Sequence, residues 1–474
     1  MSVIHVLRAD LELTGPGGVT APEGNTVGSV LRPSLPLASD GWGGPHLPGT
    51  SPAGSLREHA PEARRRELFG DVFEDDGKPG GQGRSRSTAV ASAVRVLGTR
   101  VSAPEAPRSR RRTAVSGHHA AARAKSLHSR ELLPPGTDVS VWFRIDTETA
   151  DSPLVREVVE LLRTWKPRIG GGRTVGLGRA EVVSVRHRTI DLATAEGLRH
   201  WLLRGGPDLV DDHAVLVHER SRTPGAAPDE AYLFGRPLEF RIVDALRIGS
   251  GTFLERAGRR TGIARLLRDF EDVPVVPGST WKGIVRSRVA FVLRSVGYED
   301  ICSASDDGGP GSCGTCCVCV SFGWSERTGG AGDRTPATES VGGRGRLLFA
   351  DSAVREGRIR IRNHVVIDRV FGGAREEGLF SEETVEDGLV TLHLRQDGDV
   401  PEPVRAALVM ALDDLADGRV GIGSGTTRGQ GTLAATPGTA KWLAEERPGA
   451  ARTLRSLPLA GQSPTRPSTE ESER

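Results

Sequence analysis

Four short blocks occur twice in this chain, in the same order. The stretch "LPGTSPAGSLRE" at 47–58 matches "VPGSTWKGIVRS" at 276–287, and "ELFG" at 67–70 matches "VSFG" at 320–323. Residues 112–137 resemble 363–388, and "IGGGRTVGLGR" at 169–179 matches "IGSGTTRGQGT" at 422–432. Ordered self-similarity of this kind means one structural unit used twice. The length of 474 residues agrees, because a single hydrophobic core stops growing well short of it and two domains of roughly 200 residues are expected. The reading divides the chain into a first domain over 1–189, a connector over 190–235, a second domain over 236–435, and a polar, disordered tail over 436–474.

Each copy has the same element order. An alternating strand opens it, over 3–13 and again over 238–248. A Pro-Gly turn followed by Thr50 or Ser279 marks a helix entry with a hydroxyl available for capping. A second amphipathic helix comes late, with Val155, Val158 and Leu162 on one face in the first copy, and Val404, Leu408, Ala411 and Leu415 in the second. Pro153 and Pro403 fall where a first helical turn tolerates proline. The glycine loop then leads into a short strand. The order, strand and helix, a long irregular middle, then strand, helix and strand, is the α+β, ferredoxin-like (RRM-like) arrangement, here twice in tandem and each time with a large insertion.

The glycine loops are not cofactor fingerprints. A dinucleotide site needs G-x-G-x-x-G after a strand and before a helix. Counting from Gly170 the sixth position is Val175, and from Gly423 it is Arg428, and both loops follow a helix. Neither continues into Gly-Lys-Ser/Thr. What remains is a turn that exposes main chain, with Gly170, Gly171, Gly172 and Arg173 in one copy and Gly423 and Arg428 in the other. Such a turn lets a phosphate chain approach closely while arginine holds it, although a plain helix-to-strand turn would use the same glycines.

Composition narrows the partner class. Net charge is only +2, so any nucleic-acid surface must come from local arrangement. Five lysines are present, which leaves 58 of the 63 basic residues as arginine, the planar fork suited to phosphate. The densest cluster holds Arg110, Arg111, Arg112, Arg123 and Lys125, a basic hairpin that suits phosphates or a solvated charged loop. No run of 18 apolar residues occurs, and the start lacks the basic-then-apolar pattern of a secretory leader, so neither a membrane span nor export is expected.

All five cysteines lie between 302 and 319. An odd number in a tight cluster argues for a metal site in a reduced, cytoplasmic compartment. Cys313, Cys316 and Cys319 are spaced as C-x2-C-x2-C, and Cys302 supplies a fourth thiolate, leaving Cys317 over. Four thiolates with no open position suit a structural Zn2+, with an iron–sulfur cluster or unmetallated cysteines as the alternatives.

The Pro-Gly helix start, the Phe-Gly block, the "IDR…GA…GLF" stretch and the terminal glycine loop together resemble the RAMP superfamily of CRISPR-associated proteins, over about 3–185 and 238–435. The nearest likeness is to backbone subunits of type III effector complexes, here two domains fused in one chain. The resemblance implies an RNA-binding subunit that holds CRISPR RNA and its pairing with target RNA in antiviral defence. Its partners would be the large polymerase-like subunit and further RAMP subunits. It implies a β-hairpin thumb over 112–137 and over 363–388, and it places Arg57, Ser279, Lys282 and Arg286 on a helix against the guide backbone. The "IDR" of the pattern is intact at Asp368 and Arg369. In the first copy it becomes Val115, Ser116 and Gly117, followed by His118 and His119.

The alternative is a metal-dependent endoribonuclease that cuts target RNA or processes guide RNA, with Mg2+ as the ion. Relatives that cut use an aspartate in the loop before the Pro-Gly helix, where a carboxylate-held ion can neutralise the phosphate. That position aligns with Ser34 and Ile263, neither of which is a carboxylate, and leaves Asp40, Asp269 and Asp272 as weak nearby substitutes. Guide-processing relatives use a histidine, for which His118, His119 and His364 are the candidates. The balance favours binding without cutting.

Overall fold

The computed structural model describes residues 3–21, 34–74, 87–115, 126–204, 206–210, 214–220, 231–255, 262–298, 300–302, 313–325 and 342–458. Arg123, Lys125, His118, His119 and the end of the chain from 459 lie outside the described residues. The chain separates into two compact units. The first comprises Met1–Arg112, Leu127–Arg173 and Leu177–Ala227, and the second Thr113–Ser126, Thr174–Gly176 and Pro228–Arg474.

The first unit is built on strands β1 (Val3–Leu13), β2 (Ser34–Leu35), β3 (Arg95–Ser102), β4 (Arg108–Arg112), β5 (His128–Leu132), β6 (Asp138–Thr147), β7 (Ala180–Asp191) and β8 (Val215–Glu219), with helices α1 (Thr50–His59), α2 (Glu62–Phe69), α3 (Pro153–Thr164) and α4 (Ala195–Leu203). Its main sheet is antiparallel in the order β8-β7-β1-β6-β3. Without the added β8, this is fourth, first, third, second, the ferredoxin-like order. Strand β1 is central because its apolar residues leave almost no surface for water: Val6, Leu7 and Ala9 are buried. Helix α3 covers one face with Val155, Val158, Leu161 and Leu162, each buried side chain contributing about 1.5–3 kcal/mol.

The second unit repeats the plan with β9 (Leu238–Ile242), β10 (Ile263–Leu266), β11 (Leu347–Phe349), β12 (Arg358–Ile367), β13 (Ala374–Glu386), β14 (Leu389–Leu392), β15 (Leu394–Gln396) and β16 (Leu433–Ala435). Its helices are α5 (Gly278–Ser295), α6 (Cys317–Phe322), α7 (Glu402–Ala416) and α8 (Pro437–Arg455). Strand β9 lies between β16 and β14, and β15, separated from β14 by one residue, pairs with β11. The same fourth, first, third, second order follows. Helix α7 buries Val404, Leu408, Ala411 and Leu415, the face its periodicity marks.

Three boundaries differ from the sequence reading. The opening strand expected over 238–248 stops at Ile242, and Ala245–Leu246 instead pairs with β13. The connector belongs largely to the first unit: β8 extends its sheet beside β7, and Trp201 of α4 packs on its outer face under the Arg144 guanidinium. The tail expected to be disordered begins with α8, which buries Trp442, Leu443, Ala450 and Leu454. Its polar composition hides an apolar stripe that only a neighbouring core makes useful.

Candidate nucleic-acid interface and metal centre

The two glycine loops share one backbone conformation. In the first, Gly170, Gly172, Gly176 and Gly178 have φ of 76, 84, 80 and 70°. In the second, Gly423, Gly425, Gly429 and Gly431 have φ of 90, 76, 82 and 81°. Each set encloses one short 3-10 turn, Arg173–Val175 or Thr426–Arg428. The last glycine lets the chain close on itself: a Cβ at Gly178 would stand 1.9 Å from the Ile169 carbonyl oxygen, and one at Gly431 would stand 2.1 Å from that of Ile422. The amides of Ile169 and Ile422 then donate to the carbonyls of Gly178 and Gly431 at 2.8 and 2.9 Å. No side chain tolerates this geometry, which is why the glycines recur.

The embedded arginines are not equivalent within that frame. Arg173 stands where the second loop has Thr426, and Arg428 where the first has Val175. Arg173 forms an ion pair with Glu58 of α1. Arg428 pairs with Glu382 of β13 at 3.3 Å, and the same buried carboxylate accepts from Gln430 Nε2 at 2.9 Å. Arg247 and His364 lie 3.2 and 3.0 Å from it. Burial pushes the Glu382 pKa up, but the Gln430 hydrogen bond and the charges of Arg247, Arg428 and His364 outweigh it, so the group is held below its usual range.

The aspartates proposed as metal ligands fasten hairpin turns. Asp40 Oδ1 accepts from the amides of Trp42 and Gly44 at 2.9 and 2.8 Å. Asp269 Oδ1 accepts from Glu271 and Val273 at 3.0 and 2.9 Å. Each turn closes in the same way, Asp40 amide to Gly44 carbonyl and Asp269 amide to Val273 carbonyl, both at 2.9 Å. These are Asx turns, a structural use that competes with metal binding. Asp272 takes the left-handed position held by Gly43 in the first copy, and its Oδ2 accepts from Arg268 at 3.1 Å. Ser34 and Ile263 also occupy matching places, opposite Ser129 and Ser381 in parallel pairs.

The Pro-Gly helices show the same economy. Arg57 of α1 donates to the carbonyl of Gly70 at 2.6 Å, and Arg286 of α5 to that of Gly323 at 2.7 Å. Both carbonyls belong to the glycine of the Phe-Gly block, which terminates α2 or α6 with φ of 71 or 84°. The two arginines therefore clamp the repeated motif. The N-terminus of α5 carries Ser279, and its first amide, from Gly278, donates to Asp351 Oδ1 at 2.8 Å, so a carboxylate of the chain itself meets this helix N-terminus. Lys282, one turn on, has its pKa lowered to about 8 by burial and then by Arg286.

Both thumb segments contain hairpins. In the first unit β4 pairs with β5, bringing Arg110 opposite Arg130 and Arg112 opposite His128. Arg110 is buried, and Arg111 and Arg112 are partly so. In the second, β12 pairs with β13. Asp368 Oδ1 caps its tip by accepting from Val370 and Phe371 at 2.8 and 3.0 Å, and Arg369 is exposed beside them. Val370 and Phe371 are 83 and 87 % exposed, an apolar tip held out in water.

The four cysteines come together as the spacing predicts. Sulfurs of Cys302, Cys313, Cys316 and Cys319 all lie within 4.8 Å of one another. A tetrahedral ion with bonds of about 2.3 Å needs sulfurs about 3.8 Å apart. Cys302 is 3.4 Å from Cys319 and 3.7 Å from Cys316, so the four thiols fit such an ion. The amides of Cys316 and Cys319 point at the sulfurs of Cys313 and Cys316, at 3.2 and 3.4 Å, and Arg286 Nη2 lies 3.8 Å from the Cys319 sulfur. These donors favour thiolates. Cys317 turns away toward the Asp300 carbonyl.

Glu382, Glu383, Arg247 and Asp351 escaped the sequence reading. Each sits outside the four repeated blocks or in a stretch read only as thumb. A register-by-register alignment of the two copies is the signal that finds them.

Residues 239–434 match the model of the RAMP superfamily, whose members act in CRISPR RNA–protein complexes. No curated protein matches the chain.

Proposed function

We propose that the protein is an RNA-binding backbone subunit of a type III CRISPR RNA-guided interference complex, carrying two RAMP domains in one chain and holding CRISPR RNA together with its target pairing. One observation carries the reading. The unit that matches the RAMP model and the unit that does not share the same Asx turn, arginine clamp, glycine loop and thumb-hairpin register. The exposed Val370 and Phe371 suit a wedge between stacked bases, and Arg369 beside them suits the backbone. The partners are a polymerase-like large subunit and further RAMP subunits, and the setting is cytoplasmic. The four cysteines hold a structural Zn2+ that fixes the insertion ahead of the Phe-Gly turn.

Scaffolding is favoured over cutting because Asp40 and Asp269 are engaged by backbone amides and Asp272 by Arg268. Sequencing of RNA that co-purifies from the native cell tests the function. Dominance of repeat-derived CRISPR RNA is expected, and a sample without RNA enrichment would overturn the proposal. Length analysis of the same RNA tests the fused arrangement, since a ladder stepped by one backbone unit would count against a fixed order of the two domains.

A further inference from the structure

The two thumb hairpins occupy the same register, yet one side chain has opposite charge. Strand β2 pairs with β5 through Ser34–Ser129 and Leu35–Arg130, and β10 pairs with β13 through Ile263–Ser381 and Ala264–Glu382. The next residue confirms the match: Glu131 Oε2 accepts from the Leu37 amide at 3.0 Å, and Glu383 Oε2 from the Leu266 amide at 2.9 Å. Arg130 therefore stands where the second unit has Glu382.

The surroundings have changed with it. Glu382 is answered by Arg247, Arg428 and Gln430. Their places in the first unit are taken by Gly18, Val175 and Leu177, as the glycine frame shows. Gly170 abuts the Gly18 carbonyl as Gly423 abuts that of Arg247, and Leu177 and Gln430 each precede the closing glycine. The acid is gone and so are its partners, but the arginines of the hairpin remain. Arg110 and Arg130 face each other directly, a like-charge pair that is unfavourable by itself.

Arg130 lies against the glycine loop. A Cβ on Gly171 would stand 2.9 Å from its Nη2, and one on Gly172 would stand 3.1 Å from its Nη1. Its Nε is fully buried without a hydrogen-bond partner, and among the described residues no carboxylate pairs with the guanidinium. Burial alone lowers its pKa. A desolvated guanidinium facing a second arginine, on a main chain stripped of side chains, is a complement to an oxyanion.

We infer that Arg130 and the Gly170–Gly172 loop form a phosphate-binding site in the first unit, for a phosphodiester of bound RNA, whereas Glu382 closes the corresponding place in the second. This rests on the RNA-binding reading above. The two glycine loops then do different work: one contacts the nucleic-acid backbone and the other is internally neutralised.

The test uses the full chain with Arg130→Met and Arg130→Lys, and Arg428→Gln as the control. In buffer without phosphate, R130M should melt at or above the wild-type temperature, because a buried charge with no carboxylate partner among the described residues is replaced by an apolar chain; an arginine with a purely structural role would give the opposite sign. Inorganic phosphate at matched ionic strength should raise the wild-type melting temperature and leave that of R130M unchanged. For labelled single-stranded polyuridine RNA, R130M should bind about tenfold more weakly, with a salt slope smaller by about 1. R130K should fall between, and R428Q should match wild type. If wild type responds to phosphate through Arg130 but binds no RNA, the anion site stands and the RNA-binding reading falls. Equal phosphate response and equal RNA affinity in wild type and R130M would overturn the inference.

Discussion

At the scale of single residues, buried charge decides more than surface charge. Glu382 is almost fully buried and answers two arginines, so Glu382→Gln should leave both under-compensated and destabilise the second unit by about 3 kcal/mol, read from urea unfolding. A histidine pair makes the first unit acid-sensitive. His5 is buried with Nδ1 3.0 Å from His187 Nε2 and its other nitrogen 3.0 Å from Thr147 Oγ1. Burial lowers both pKa values, that of His187 to about 4 with help from His5. In the unfolded chain both take up protons near pH 6.5, whereas the folded pair does not until the pH is lower. The stabilisation is therefore complete above that pH and is lost as the pH falls from 6.5 toward 4, by about 1–3 kcal/mol. Melting temperatures across that window should fall more steeply in wild type than in His187→Gln. None of this was legible beforehand, because neither histidine lies in a repeated block and their meeting depends on the pairing of β1 with β7.

At the scale of elements, the repeated motifs turn out to be devices for making turns. Asp40→Ala and Asp269→Ala should each cost about 1 kcal/mol by removing a turn cap, and the asparagine variants should cost less. Any magnesium-dependent RNA cleavage should be indifferent to Asp269→Asn. For the cysteine element, one zinc per chain should be released on denaturation in the presence of a colorimetric chelator. Cys317→Ser should retain it and Cys313→Ser should lose it, with a drop in stability of several kcal/mol. The ligand set was readable in sequence because C-x2-C spacing is local, and Cys302 could be added because the cluster offered few alternatives. The roles of Arg57 and Arg286 were not readable: a basic residue on a helix says nothing about whether a carbonyl waits 13 or 37 residues further on.

At the scale of the whole molecule, the two units share a plan and differ in detail. Both units keep the strand order and the glycine frame, while only the second carries cysteines and an intact Asp368–Arg369 tip. RNA binding should therefore weaken with salt as several phosphates are neutralised, and Phe371→Ala should reduce affinity for single-stranded RNA by about 1–3 kcal/mol, measured by fluorescence anisotropy. No helix among the described residues is long and apolar enough to cross a membrane.

The sequence by itself determined the repeat, the helices with apolar faces, the glycines that must adopt left-handed conformations and the thiolate set. Each depends on spacing along the chain, which a linear string preserves. The tertiary structure decided where the first unit ends, that 437–455 is a helix with one buried stripe, and which charged residues are engaged. It also decided that Arg173 pairs with Glu58 while Arg130 lies against the first glycine loop, where among the described residues no carboxylate pairs with it. A charge is free or answered only according to what long-range strand pairing brings within a few ångströms of it, and that pairing is set by the burial of whole faces rather than by any local pattern.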